Sequence, residues 1–399
     1  MNINMKRMCR SLPPVLLVAP LVLFLLVMFV FPILKLLTLS VDDPLVARAV
    51  PKTIAALADW DHKAIPDAAV FDVLARELQE LDKDGKTGPL ANRLNYEAAG
   101  LRGLFLKTAK RSAFFSPPYK EAMIADNPKW GTLEPWSVLE RLGSVPNAVQ
   151  LMAAADYQFD AKGEAISVPA SQRVHLEMFK RTLVLAVLVT TISALLAYPL
   201  AYLLASAPTR ISNMLMILVL LPFWTSILVR CAAWIVLLQT NGVVNSALIN
   251  LGLVDPAHRP DLIFNLFGTV IVAVYVLLPY MVLPLYSTMK SIPPSLLRAA
   301  STLGASPVQG FLRVYLPLTY SGLAAGSLLV FILTAGYYIT PALVGGASGT
   351  LISNLIAYHM QTSLNWGLAA ALSLFLLVGV TILFALYNRL IGLGKLAMN

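Results

Sequence analysis

An all-α integral membrane protein is the fold class this sequence predicts: six transmembrane helices, with a helical insertion between the first and the second. Three observations lead there. Hydrophobic residues make up 58% of the 399 and charged residues only 13%, against about a quarter charged in an ordinary soluble domain. Six apolar runs each reach about 20 residues, enough to cross a roughly 30 Å hydrocarbon core. Between the first two runs the composition changes to that of a soluble domain. The net charge of +9 would suit nucleic acid, but its distribution does not. Most acids fall within 41–177, and after Phe179 the only ones are Asp255 and Asp261. The basic excess therefore flanks membrane spans. No basic patch with interleaved aromatics occurs, so no nucleic-acid partner is expected.

Residues 1–40 read as a cytoplasmic tail and the first transmembrane helix. Lys6, Arg7 and Arg10 precede an apolar run from Leu12 to Leu39. That run exceeds the roughly 7–15 residues of a signal-peptide core, and no convincing A-x-A cleavage site follows it. Cys9 and Cys231 are the two cysteines. One lies in this tail and the other inside a span, so neither a disulfide framework nor a metal site is expected.

Residues 41–175 read as a mostly helical insertion. Val70, Leu74, Leu78 and Leu81 share one face of a helix over Asp67–Lys86, with charges opposite. Leu101–Phe114, Pro118–Trp130 and Glu134–Gly143 have the same character, and no strand alternation stands out. The carboxylates recur beside Lys and Arg at helix-face spacing, the pattern of solvated faces. Asp82, Asp84 and Gly85 resemble the start of a calcium loop but lack its other ligands and terminal Glu. No nucleophile, metal set or acid/base pair is present; neither enzymatic activity nor a cofactor is expected.

Residues 176–399 form the remaining core. Its five runs cover Thr182–Ala205, Ile211–Leu238, Leu266–Tyr286, Gly322–Val344 and Leu368–Tyr387. Starting inside, the inner segments hold Arg210, then Lys290, Arg298 and Arg313, then Arg389 and Lys395. The outer loops 239–265 and 345–367 hold only Arg259. Lys180 and Arg181, ahead of the second span, run against this bias. The balance still places both termini in the cytoplasm and the insertion outside. Within the core, 291–317 reads as a cytoplasmic hairpin of two short helices. Ser291 is its expected N-cap, with Pro293 and Pro294 in the first turn. Gly304 stands where a helix end needs positive φ. Ser306-Pro307-Val308-Gln309 restarts the chain as a capping box.

The hairpin resembles the cytoplasmic loop of bacterial ABC-importer permeases, with its pattern EAA-xxx-G-xxxxxxxxx-Φ-x-LP. Arg298-Ala299-Ala300, Gly304, Val314, Leu316 and Pro317 fit that spacing, with Arg298 in place of the leading Glu. Pro222–Leu248, Leu277–Ile292, Gly336–Gly346 and Asn365–Ser373 are similar to permeases of the polyamine (spermidine/putrescine) type. The resemblance implies a permease subunit in the bacterial inner membrane. It would pair with a second permease, receive solute from a periplasmic binding protein, and be driven by separate ATP-binding cassette ATPase subunits docked on the hairpin. In that role Ala299 and Ala300 keep the docking face small, Gly304 permits the bend and Pro317 ends the second helix. The chain has no GxxxxGK[ST] of its own.

Candidate pathway residues are Trp224, Arg230, Tyr280, Tyr337 and Tyr338. Arg230 is the one charge well inside a span of the second half, at about 2.5–3.5 kcal/mol for central placement, and no intramembrane carboxylate can pair with it. A polyamine is a cation, for which the aromatics offer cation–π contacts of about 0.5–2 kcal/mol. Arg230 better suits a zwitterionic or anionic solute such as an aminoalkylphosphonate or an amino acid. Both alternatives stay open on charge alone. A secondary transporter is the remaining reading, disfavoured because intramembrane acids and repeated halves are both missing. Pro199, Pro222, Pro279, Pro284 and Pro341 lie in or at the ends of spans, where bends are tolerated if they face protein or a cavity.

Overall fold

The computed structural model describes residues 18–160 and 164–396, with side chains as far as residue 389. The basic tail, Cys9 and the Lys395 side chain fall outside the described residues. Among those described, six helices are long and apolar enough to cross a membrane. The chain divides into two compact units. One runs to Val174 and includes Tyr358–Leu374; the other comprises His175–Ala357 and the residues from Phe375 onward.

In the first unit, α1 (Val18–Thr38) is the first span. Its Leu21, Phe24 and Met28 are exposed, as suits a surface meeting hydrocarbon. Short helices follow: α2 (Leu45–Ala49), α3 (Pro51–Leu57), α4 (Ala68–Lys83), α5 (Thr87–Asn95) and α6 (Leu101–Ser112). After them come α7 (Tyr119–Asp126), α8 (Glu134–Gly143) and α9 (Val149–Ala154). On α4, Val70, Leu74 and Leu78 are buried and Leu81 packs beside them, the face that the i, i+4 spacing predicts. The buried Glu77 of the same helix accepts from the Lys52 and Thr53 N–H groups at 2.8 and 2.9 Å. It thereby caps α3, whose first-turn N–H groups have no partner within their own helix.

An aromatic stack forms the centre of this unit. Phe71 lies 4.4 Å from Trp136, Trp136 5.3 Å from Trp130, and Trp130 5.0 Å from Phe105, measured between ring centroids. Both indole N–H groups are used: Trp130 donates to Thr108 Oγ1 at 2.9 Å and Trp136 to the Trp130 carbonyl at 3.2 Å. Arg93 bridges Asp43 at 2.5 Å and Glu97 at 2.9 Å. Burial pulls the Arg141 guanidinium below its ordinary value, and it lies 4.4 Å over the Phe159 ring. An antiparallel ribbon of β1 (Tyr157–Phe159) and β2 (Ala165–Ser167) pairs Gln158 with Ile166. Three residues per strand are too few for alternation to show in the sequence.

In the second unit, α10 (His175–Ser206), α14 (Leu266–Ser291) and α16 (Pro307–Ala335) pack on one another. Leu185, Val189 and Ala197 of α10 meet Ala273, Leu277 and Met281 of α14 and Val330 of α16 in their shared core. Small residues bring α14 and α16 together. A Cβ on Gly322 would stand 2.5 Å from Thr288 Oγ1, and one on Gly326 2.8 Å from Met281 Sδ. This is the close approach that small-xxx-small spacing allows between membrane helices.

The third and fifth spans differ from expectation. The run 211–238 is not one helix. It comprises α11 (Thr209–Leu220), a 3-10 turn over Leu221–Trp224, and α12 (Ile227–Leu238), followed by α13 (Val243–Asn250). Pro222 removes a donor, Thr225 turns its hydroxyl onto the Pro222 carbonyl at 3.0 Å, and Ser226 caps the Leu228 N–H. The stretch of spanning length is therefore Ile227–Asn250. Likewise, 322–344 breaks after Ala335, and α17 (Ile339–Val344) restarts it. Helices α18 (Ile352–Gln361) and α19 (Trp366–Leu396) complete the chain.

Candidate functional site

Two features of the second unit carry the residues singled out by sequence. The first is the hairpin. Its opening helix, α15 (Pro294–Thr302), has Pro293 as N-cap and Pro294 at its first position. Ser291 is not the cap: it is the last residue of α14, and its hydroxyl donates to the Thr288 carbonyl at 2.8 Å. Gly304 has φ +86°, with open space where a Cβ would stand. Backbone conformation, not crowding, is what demands glycine there. The chain then re-enters a helix through a reciprocal box: Gln309 N–H to Ser306 Oγ at 3.3 Å and Ser306 N–H to Gln309 Oε1 at 3.1 Å.

Pro317 does not end the second helix. Helix α16 runs through it after a π-helical turn over Phe311–Tyr315. Proline is tolerated because the wider turn and the start of the next helical segment leave its missing N–H without consequence. Arg298 and Ala299 are exposed, Ala300, Val314, Leu316 and Pro317 half-buried. At the tip Leu303 is 89% exposed, with Val308 also exposed. Sequence reasoning missed what fastens the hairpin's base. Tyr202 of α10 meets Phe311 edge-on at 6.0 Å and Tyr315 at 5.4 Å, and Tyr198 meets Phe311 at 6.2 Å. The Tyr198 hydroxyl lies 3.1 Å from Thr319 Oγ1. Aromatic pairs of this kind contribute about 0.5–1.5 kcal/mol each beyond area burial. The signal was available: two aromatic pairs, each at i, i+4 spacing, flank the run.

The second feature lies where the two broken spans adjoin. Arg230 occupies the first turn of α12. Its Nε and Nη1 are buried with no hydrogen-bond partner among the described residues. Arg230, Tyr280, Cys231 and Thr340 all lie within electrostatic or hydrogen-bonding reach of the Tyr337 hydroxyl. Cys231 Sγ, 3.5 Å from Thr340 Oγ1, ties α12 to α17, and Tyr280 packs on Phe223 at 4.9 Å. The structure thus gathers Arg230, Tyr280 and Tyr337. It leaves Trp224 (88% exposed) and Tyr338 on the surface of the unit. The carbonyls at the break are used: Ser353 Oγ donates to Tyr337 O, and Tyr338 O accepts both the Ala342 N–H at 3.1 Å and Asn354 Nδ2 at 3.0 Å. Irregular backbone at membrane depth is thereby satisfied from within the protein. What remains open is a set of donors. Guanidinium N–H groups beside a phenol can take a carbonyl, carboxylate or phosphonate oxygen. Among the described residues no group of three or more potential metal ligands occurs.

A hairpin joining two spans, in a core of broken helices, is a form shared with the membrane subunits of binding-protein-dependent importers that the hairpin's spacing resembles. Residues 182–391 match the family of binding-protein-dependent transport system inner membrane components, and the chain belongs to that family. It is a multi-pass inner membrane protein and a transport component. It is 36% identical over 216 residues to the spermidine/putrescine transport system permease protein PotB of Escherichia coli K12, covering 54% of this chain and 78% of that one. It is 37% identical over 225 residues to the inner membrane ABC transporter permease protein YdcU of the same organism, covering 54% and 71%. The molybdenum transport system permease protein ModB of Mycobacterium bovis is 30% identical over 217 residues, covering 53% and 77%. The family match leaves residues 1–181 outside it.

Proposed function

We propose that the chain is one of two permease subunits in an ATP-driven importer that carries a polyamine such as putrescine or spermidine inward. The solute would arrive on a periplasmic binding protein, with both termini of the chain, and the hairpin, in the cytoplasm. The similarity of the core to spermidine/putrescine permeases supports this solute, and the spacing of Arg298–Pro317 supports ATPase coupling. The base of the hairpin is locked to α10 and is continuous with α16. A push on the exposed tip therefore moves two packed helices as one body, because close-packed cores transmit displacement. Arg298 calls for an acidic or carbonyl-rich surface on the ATPase where most such loops offer a carboxylate.

One observation favours a second solute class. Arg230 presents unpaired buried donor atoms beside the Tyr337 phenol, with no intramembrane carboxylate, which suits a zwitterionic or anionic solute. The similarity to ModB shows that this core also occurs in a molybdenum transport system, so the scaffold alone does not set the solute's charge. Uptake of radiolabelled putrescine, compared with 2-aminoethylphosphonate and amino acids, separates the two. Saturable putrescine uptake that the others do not compete supports the first reading. Uptake of only the others replaces it with the second.

A further inference from the structure

The insertion presents a basic face on α6. Helix α6 buries Leu101, Leu104, Phe105, Thr108 and Ala109 in its own core. Its exposed side carries Arg102, Lys107, Lys110 and Arg111, and the helix has no acidic residue. Arg111 is paired with Asp126, while Arg102, Lys107 and Lys110 have no ion-pair partner among the described residues. Immediately beyond the helix Phe114 stands 86% exposed, whereas its neighbour Phe115 packs into the core. Lys107 and Lys110 stand at i and i+3 on one face of the helix, and Phe114 follows in the turn that ends it, its N–H bonded to the Arg111 carbonyl at 2.9 Å.

We propose that this stripe of α6, with Phe114 at its end, is the docking surface for an acidic face of the solute-loaded binding protein; the proposal rests on the importer reading above. Charge complementarity sets the sign of the partner. The distribution of apolar groups favours a protein over a lipid surface. A helix that lies on a membrane needs a free apolar face, but the apolar face of α6 is spent on the insertion's own core. A single exposed aromatic within a charged surround is instead the pattern of a protein–protein anchor with a polar rim. The surrounding cations speed encounter and fix register, and the ring fills a pocket.

The test uses the full complex of permease pair and ATPases in nanodiscs, with the purified polyamine-binding protein of the same organism as the probe. Lys107→Glu with Lys110→Glu is expected to weaken binding about tenfold and to flatten its salt dependence. Phe114→Ala is expected to weaken it about 30-fold with the salt dependence unchanged. Basal ATP hydrolysis should stay at the wild-type rate in both, since neither change touches the core. Binding by both variants as tight as wild type overturns the proposal. So does a charge-reversal effect present in phosphatidylglycerol nanodiscs and absent in phosphatidylcholine ones, which would make the stripe a lipid contact. If wild-type ATP hydrolysis does not rise with the loaded binding protein at all, the importer reading itself fails. A wild type that responds, with variants that bind normally, removes only the docking surface.

Discussion

Gly304 and Arg230 are the two residues whose chemistry the fold leaves exposed to test. Gly304 holds φ +86° in open space, so an alanine there meets no neighbour and bears only the left-handed backbone, about 1–2 kcal/mol. Gly304→Ala should lower the stability of the hairpin by that amount and reduce uptake, while solute binding to the periplasmic protein is unaffected. Gly304→Pro should abolish uptake. Arg230 is the opposite case, a half-buried cation whose Nε and Nη1 are buried without a partner. Replacing it with the apolar Met should leave thermal stability unchanged or raised, since an unpaired buried donor costs about 1–3 kcal/mol. Uptake should fall at least tenfold if Arg230 lines the pathway. Unchanged uptake in Arg230→Met would assign it a purely structural position. Both residues were legible in the sequence because their signals are local. A glycine between two capped turns and a cation without any acid in the neighbouring spans need no tertiary contact to be noticed. Tyr198 and Tyr202 were not, because their role exists only once α10 lies beside Phe311 and Tyr315.

Among the helices, hydropathy and local backbone chemistry compete, and the two broken spans show which prevails. Residues 211–238 and 322–344 are apolar enough to read as single spans. Pro222, Thr225 and Ser226 nevertheless end one helix, and the other stops at Gly336, because missing donors and side chains that bond to the backbone act at a single turn. A hydropathy run averages over such a turn and hides it. The break at Gly336–Tyr338 is sustained by α18, so Ser353→Ala should strip the Tyr337 carbonyl of its side-chain donor, whereas the Tyr338 carbonyl keeps the Ala342 N–H at 3.1 Å even without Asn354. The expected cost of Ser353→Ala is about 1–3 kcal/mol for the one carbonyl left unsatisfied, read as a lower melting temperature in detergent with unchanged helix content. The contact between α14 and α16 is equally specific. A valine at Gly322 must displace Thr288 and the Pro284 carbonyl, and should destabilise by about 1–3 kcal/mol, as overpacking does elsewhere. Gly322→Val that melts like wild type would show that the two helices have room to part.

For the whole molecule, the sequence separated a soluble-like stretch from a membrane core because charge and hydropathy change abruptly near residues 40 and 175. It did not foretell that Tyr358–Leu374 would belong with the insertion's unit. Tyr96, which donates to the Ser363 carbonyl, meets a partner hundreds of residues away, and no local pattern encodes that. The hairpin could be read from spacing; the solute could not, because solute chemistry depends on which donors and acceptors face the pathway. The central claim is that ATP hydrolysis on another chain moves solute through this one by way of the hairpin. Proteoliposomes holding the permease pair and ATPases, with binding protein outside and ATP inside, measure it directly through accumulation of radiolabelled putrescine. The account predicts accumulation that needs both ATP and binding protein and is lost in Gly304→Pro while the ATPases remain folded and able to hydrolyse ATP. Accumulation without ATP, or undiminished in Gly304→Pro, would contradict it.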